Sequence, residues 1–297
     1  MKQRKCYRVA DHTFALTIDI ELLEALQLKA FAPFEIEQNT STLFEIEVVD
    51  NIADQIVEPV IVDAPLSSSG MPKVDIYRLA EGYLYNITMP RCREINASLA
   101  INQKSRRAEI KLDGSAINML SGLNNALILS YITFTMEHKT LLLHASTVML
   151  EGKAYLFLGK SGTGKSTHSR MWLESFPQAE LLNDDHPIVR AFDDGSIIVY
   201  GSPWSGKTPC YRNLSSPMGG IVRIERALTN QAERLRPLKA YASITTSCSG
   251  AQWSKSLMES KVKTVEAIAS GSPCYVMRCL PNHDAAHVCY NFIKNDE

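Results

Sequence analysis

The sequence predicts a domain of the α/β class that follows a mainly β segment, and two observations support this prediction. Short apolar runs that alternate with polar residues extend over residues 6–112, as expected of half-buried strands. From residue 113 onward, runs with helical spacing alternate with short apolar runs, and a glycine-rich segment at residues 159–166 joins an apolar run to a helical one. We therefore expect a mainly β accessory domain over residues 1–112 and an α/β domain over residues 113–297.

The accessory domain consists of short apolar runs that are separated by turn-forming clusters such as Asp50-Asn51. None of these runs carries a grouping of residues that indicates catalysis. Oligomerisation, presentation of a substrate and cover for the second domain are therefore all open as its role. The predicted strands are residues 14–20, 43–49, 56–62, 74–79, 83–89, 97–101 and 107–112.

The second domain begins after the turn at Asp113-Gly114, where apolar residues at helical spacing predict a helix over residues 116–137. An apolar run then predicts a strand over residues 141–150, and Glu151-Gly152 turns the chain toward the next strand. Further strands are predicted at residues 154–158, 179–186, 188–191, 197–200, 219–226 and 274–280. The remaining helices are predicted at residues 166–176, in segments from residue 238 onward, and at residues 283–293.

The glycine-rich segment matches the pattern G-x-x-x-x-G-K-[ST] in full. Its glycines let successive N–H groups face a polyphosphate, and the helix N-terminus that follows adds partial positive charge. Lys165 can reach the β- and γ-phosphates of ATP, and the Ser166 hydroxyl can bind Mg²⁺. The predicted ATP-binding residues are Gly159, Lys160, Ser161, Gly162, Thr163, Gly164, Lys165, Ser166 and Thr167.

Two adjacent acids, Asp184 and Asp185, end the predicted strand that follows the loop helix. A metal-binding acid is expected at a strand end beyond a phosphate-binding loop, so at least one of them is predicted to be functional. His186 is interpreted as their neighbour. The turn-rich segment at residues 201–209 is either structural or substrate-facing, and the cations Lys207 and Arg212 are interpreted mainly as solvated surface groups.

Composition excludes several classes of protein. The 31 lysines and arginines nearly balance the 32 aspartates and glutamates, so no overall charge favours nucleic acid or an anionic membrane. The longest apolar-rich segment, residues 123–136, is too short and too polar to span a bilayer. The basic N-terminus is not followed by the apolar core of a signal peptide, and the seven cysteines are scattered. We therefore expect a cytoplasmic protein that binds neither nucleic acid nor membrane.

The histidine strand, the loop and the strand that ends in two aspartates together resemble the HPr kinase/phosphorylase family. More distantly, they resemble the nucleotide-binding core of ATP-dependent phosphoenolpyruvate carboxykinase. In HPr kinases a histidine lies fifteen residues before the first loop glycine, and His144 precedes Gly159 by fifteen. Those kinases also carry Ala-Asp-Asp after an aliphatic pair, where this chain has Leu181-Leu182-Asn183-Asp184-Asp185.

The resemblance implies an α/β kinase core of the HPr kinase and carboxykinase type, with Mg²⁺ as cofactor. It implies that Lys165 neutralises the transferring phosphate and that Ser166 and Asp184 hold the metal. Asp185 would then take the proton of the attacking hydroxyl, and His144 would help to position the phosphate or the base. The resemblance also implies a homo-oligomer.

The phosphate acceptor is left open, as a serine of a partner protein or a small molecule. This chain has Thr167 where family members commonly carry an acid, and no acid stands at residues 215–220 to match the family's metal-binding glutamate. Two alternatives to a kinase are a regulatory module that binds nucleotide without transferring phosphate and, as the weaker one, a carboxykinase-like enzyme.

Overall fold

The computed structural model describes residues 1–38, 40–53, 56–61, 72–206, 208–250 and 253–296. Contacts within the chain divide it into two compact units. The first is Met1–Thr135 with Gly250–Lys255, and the second is Met136–Ser249 with Ser256–Glu297. The boundary that the sequence places between residues 112 and 113 stays a prediction. No helix in the described part of the chain is long and apolar enough to cross a membrane.

The first unit is built on a nine-stranded sheet in which parallel and antiparallel pairs are mixed. Its helices are α1, Ile20–Leu26, and α2, Ala116–Thr135, of which α2 packs on the sheet. The strands predicted by alternation are confirmed, except that residue 62 lies outside the described residues. The strands are β1 Lys2–Val9, β2 His12–Asp19, β3 Glu35–Ile36, β4 Phe44–Val48, β5 Glu58–Ile61, β6 Lys73–Leu79, β7 Gly82–Thr88, β8 Ala97–Asn102 and β9 Arg107–Leu112, in the order β3-β1-β2-β4-β9-β8-β7-β6-β5.

Strand β1 is absent from the sequence prediction because basic side chains interrupt its apolar positions. In the structure it pairs residue for residue with β2 along its whole length. Acids on β4 and β3 neutralise its lysines: the Nζ of Lys2 lies 2.6 Å from Glu47, and that of Lys5 lies 2.6 Å from Glu35. This strand therefore forms because it pairs with β2, and the local alternation of apolar residues does not predict it.

The second unit contains a mixed sheet that is also nine-stranded. Its helices are α3 Lys165–Ser175, α4 Pro237–Thr245, α5 Lys255–Gly271 and α6 His283–Asp296. Its strands are β10 Thr140–Leu142, β11 Ala145–Leu150, β12 Lys153–Leu158, β13 Glu180–Asp185, β14 Ile188–Ala191, β15 Ile197–Tyr200, β16 Ser215–Arg226, β17 Gln231–Arg234 and β18 Cys274–Cys279. The main path of the sheet is β10-β14-β15-β16-β12-β11-β13, with β18 paired to β16 and β17. The α/β class is confirmed; the short polar strand β17 is an element that the sequence did not predict.

The single strand predicted over residues 141–150 is wrong, because the structure divides it into β10 and β11. Strand β10 pairs with β14, whereas β11 pairs with β12 and β13. At the break, Leu143 bridges Cys248, and the N–H of His144 donates to the carbonyl of Ser247 at 2.7 Å. The chain therefore changes its pairing partners at His144, which leaves this side chain at a strand end.

Strands β12, β16 and β18 are parallel to one another, so their carboxyl ends lie at one edge of the sheet. Leu158, the last residue of β12, pairs with Arg223 of β16, and Arg226 of β16 pairs with Cys279, the last residue of β18. Residues 159–164 leave β12 at this edge and lead directly into α3. In open α/β sheets ligands bind at the carboxyl ends of strands, so this edge is the expected location of a site.

An aromatic core holds α3 against the sheet. Trp172 of α3 is fully buried, and its ring centroid lies 5.1 Å from those of both Tyr155 and Phe157 on β12. Tyr290 of α6 closes the cluster at 5.4 Å from Trp172. This packing fixes the first turn of α3 beside the end of β12, where the glycine-rich loop needs it.

Candidate active site

The glycine-rich loop adopts a conformation that its glycines make accessible. Gly162 has φ +76° and Gly164 has φ +119°, which residues with a β-carbon rarely adopt. Within the loop, the N–H of Thr163 donates to the carbonyl of Lys160 at 3.1 Å. Gly164 is the N-cap residue of α3, so the free N–H groups of the first turn lie beside the loop. The predicted arrangement of strand, loop and helix is confirmed.

Lys165 is buried within this loop, with only 8% of the residue exposed. Its ammonium donates to the carbonyl of Gly159 at 3.1 Å. Burial lowers the pKa of Lys165, while the nearby carboxylates of Asp185 and Asp184 raise it. A cation held between a loop of N–H groups and two carboxylates can neutralise a bound phosphate.

Ser166 and Asp184 form the second feature of the site. The Ser166 hydroxyl donates to Oδ1 of Asp184 at 2.8 Å, and Asp184 is buried at the end of β13. A hydroxyl and a carboxylate are hard oxygen ligands that suit Mg²⁺, which keeps several waters and takes few protein ligands. These two side chains therefore fit the predicted metal, although their role as its ligands stays a prediction.

Strand register brings Asp185 to His144. Ala145 pairs with Leu158 on one side and with Asp185 on the other, so the starts and ends of three strands meet at this point. Nδ1 of His144 lies 3.0 Å from Oδ1 of Asp185, and Nδ1 of His186 lies 3.2 Å from Oδ2. Both imidazoles can thus donate to the same carboxylate, and their Nε2 atoms remain for other partners.

The electrostatics of Asp185 keep it ionised. Burial raises its pKa, but hydrogen bonds from His144 and His186, together with their charges, hold the pKa well below its usual range. The residue also has φ +149°, a conformation that favours glycine. Such backbone strain in a non-glycine residue is concentrated at functional sites. Asp185 is therefore an anionic acceptor held in one orientation by two histidines.

Most of the predicted residues line a single cleft of about 380 Å³, which we call the loop cleft. Gly159, Lys160 and Thr163 of the loop lie outside this lining and border adjoining depressions. The predicted residues of the loop cleft are His144, Ser161, Gly162, Gly164, Lys165, Ser166, Thr167, Asp184 and Asp185.

Arg212, one of the two cations that the sequence places on the surface, does not line this cleft. The guanidinium of Arg212 donates to Glu180 at 2.6 Å, at the opposite end of β13 from the aspartates. Arg212 therefore forms a surface ion pair, in agreement with its interpretation as a solvated group. Lys207 lies outside the described residues.

Comparison with known proteins adds little. No protein-family model matches this chain, and no curated protein matches it. A solved structure that it resembles is the HPr(Ser) kinase/phosphatase from Coxiella burnetii, at 11% sequence identity and a TM-score of 0.31, over 52% of this chain and 95% of that chain. At this TM-score the similarity identifies neither fold nor function, so the site must be interpreted from its own residues.

Three residues that lie at the site were not predicted from the sequence as site residues. His186, interpreted as a neighbour of the aspartates, contacts Asp185 directly. Arg226 donates to the carbonyls of Gly162 and Thr163, and it lines the loop cleft together with Thr208. The signal for Arg226 is its position at the end of a predicted strand, but the sequence alone does not show that this strand lies beside β12. The segment that contains Thr208 is thus partly site-facing.

His168, one turn into α3, is buried beneath the loop with 1% exposed. Its Nε2 accepts a hydrogen bond from the indole N–H of Trp172 at 3.1 Å. Burial lowers the pKa of His168 from 6.5 to about 4. The imidazole is therefore neutral in the folded chain at physiological pH, and its single proton lies on Nδ1.

This pKa predicts a pH dependence of stability. Below pH 6.5 the imidazole of His168 is protonated in the unfolded chain but stays neutral in the folded chain. Its contribution to the stability of the fold is therefore complete above pH 6.5 and is lost as the pH falls toward about 4. Between pH 7 and pH 4, the free energy of unfolding should fall by roughly 3 kcal/mol more in the wild type than in His168→Gln. Urea unfolding at each pH measures this difference, and parallel curves for the two proteins would contradict it.

Proposed function

We propose that this chain is an ATP-dependent kinase that transfers the γ-phosphoryl group to a hydroxyl. One observation supports it above all others: the loop cleft brings a buried lysine, a hydroxyl–carboxylate pair and a second, histidine-bound carboxylate to the same loop. Phosphoryl transfer depends mainly on positioning and on charge neutralisation, and these groups supply both.

Each group has a distinct role in the proposed reaction. Lys165 and the N–H groups of the loop hold the phosphates and neutralise charge on the transferring group. Ser166 and Asp184 would hold Mg²⁺, which when bound neutralises the β- and γ-phosphate oxygens. Asp185 accepts the proton of the attacking hydroxyl and orients its oxygen toward the phosphorus.

The histidines make Asp185 suited to this role. Because both carboxylate oxygens are held by imidazole N–H groups, the side chain has a fixed direction in the cleft. Its low pKa keeps it ionised, so it can always accept a hydrogen bond from the acceptor hydroxyl. In a loose transition state the hydroxyl proton leaves late, and a weak but well-oriented base is sufficient.

Label transfer from γ-labelled ATP with Mg²⁺ tests the proposal and identifies the class of acceptor. The assay uses cell extract divided into protein and small-molecule fractions. The wild type should label one fraction, and Lys165→Ala should reduce that label by at least about 100-fold, because the transferring charge is no longer neutralised. Lys294→Ala is the matched control, since Lys294 forms a surface pair with Glu151 at 2.9 Å.

A protein that binds ATP but labels neither fraction would contradict the kinase proposal. The regulatory-module alternative would then account for the site, since nucleotide occupancy alone would be its signal. Label that survives in Lys165→Ala at the level of Lys294→Ala would also contradict the proposal, because a kinase that uses this loop depends on its lysine.

A further inference from the structure

A second cavity, of about 320 Å³, lies on the opposite side of the glycine-rich loop from the aspartates. We call it the side cavity. It is formed by the first turns of α3 and by the chain at the carboxyl ends of β16 and β18. It shares Gly164, Thr167 and Arg226 with the loop cleft, so the two spaces adjoin. Its main lining residues are His168, Met171, Ile224, Ala227, Leu280 and Pro281.

The order of the strands gives the site a direction. Strand β12, which ends at the loop, has β11 and then β13 on one side, and β16 and then β18 on the other. Asp184 and Asp185 end β13, so the terminal phosphates and their metal would lie on that side. A nucleotide whose terminal phosphates lie there would extend along the loop in the other direction, toward β16 and β18. The side cavity lies on that path.

His168 provides an independent observation. Its Nδ1 atom is buried and makes no hydrogen bond with any described group, although Nδ1 must carry the proton of this imidazole. A buried donor without a partner is costly, and in native proteins it calls for a specific explanation. A ligand with a ring nitrogen or a carbonyl oxygen would satisfy it.

We propose that the side cavity takes the nucleobase of a nucleoside triphosphate whose phosphates the loop holds. The side chains of Met171, Ile224 and Leu280 provide apolar surface for the faces of a flat ring, and His168, whose Nδ1–H has no partner among the described groups, lines the same cavity. This inference rests on the proposed function and deepens it. It assigns the phosphate donor to the nucleotides and excludes inorganic polyphosphate as the preferred ligand.

Filling the side cavity is the direct test. In Ala227→Trp the new ring would occupy the cavity, while the backbone N–H of residue 227 can still donate to the carbonyl of Cys279, at 3.1 Å in the wild type. Calorimetry with Mg²⁺ should show that the wild type binds ATP at least about tenfold more tightly than inorganic tripolyphosphate. Ala227→Trp should remove this preference by weakening ATP alone. Leu228→Trp is the matched control, because Leu228 follows Ala227 directly and is 90% exposed.

A second variant separates the role of the cavity from a defect in folding. His168→Gln preserves an acceptor for the indole of Trp172 but places no donor at the position of Nδ1. ATP should therefore bind about fivefold more weakly to this variant, while the affinity for tripolyphosphate stays unchanged. An unchanged preference for ATP in both variants would overturn the nucleobase proposal while leaving the kinase proposal intact. A wild type that binds neither ligand would overturn both.

Discussion

Asp185→Asn is expected to lower the rate of phosphoryl transfer by about 10³-fold, within the range that a general base contributes, while the Kd for ATP changes by less than about threefold. The amide has nearly the shape of the carboxylate but cannot take the proton of the acceptor. It also presents an NH₂ group to one of the two imidazoles that donate to the carboxylate at 3.0 and 3.2 Å. One histidine would therefore lose its hydrogen-bond acceptor. The side chain of residue 185 would then lose both its fixed orientation and its negative charge.

Single-turnover transfer and equilibrium binding separate these two effects. Asp193→Asn is the matched control, because the side chain of Asp193 is 93% exposed in a turn away from the cleft. The control should keep wild-type transfer and binding. Transfer in Asp185→Asn at the level of Asp193→Asn would show that the residue is not the base. Loss of ATP binding in Asp185→Asn would instead indicate a role in holding the loop.

The sequence predicts local elements of this fold more readily than their arrangement. The strand before the loop and the helix after it are confirmed because glycines at both ends of the loop separate two clear periodicities. Strand pairing is set by distant parts of the chain. The charged strand β1 exists because β2 pairs with it, and the predicted strand at residues 141–150 is divided because its halves have different partners. Neither fact is present in a local pattern.

The same distinction applies to the site. The residue types near the loop predicted Ser166, Asp184 and Asp185 as candidates, and the structure adds their contacts. That His144 contacts Asp185 follows from the pairing of Ala145 with both neighbouring strands. His168 could not be identified from sequence, because its significance lies in an unpartnered atom beneath the loop. Its helical position predicted only that it lies on α3.

Asp184→Asn is expected to raise the Mg²⁺ concentration needed for half-maximal transfer by at least about 10²-fold. The carboxylate at 2.8 Å from the Ser166 hydroxyl would supply both an oxygen ligand and a negative charge, and asparagine retains only the neutral oxygen. The measurement is transfer rate against free Mg²⁺. Asp193→Asn again serves as the control, and its Mg²⁺ dependence should be that of the wild type.

The choice of metal distinguishes direct ligation from a structural role of this pair. In Ser166→Cys a thiol replaces the hydroxyl, and sulfur prefers softer cations than Mg²⁺. Transfer should therefore be lost with Mg²⁺ and partly recovered with Mn²⁺ or Cd²⁺, whereas the wild type should gain nothing from the exchange. A structural hydrogen bond between Ser166 and Asp184 would give equal losses with every metal. Such equal losses, together with an unchanged Mg²⁺ dependence in Asp184→Asn, would show that the two side chains hold the loop and do not hold the ion.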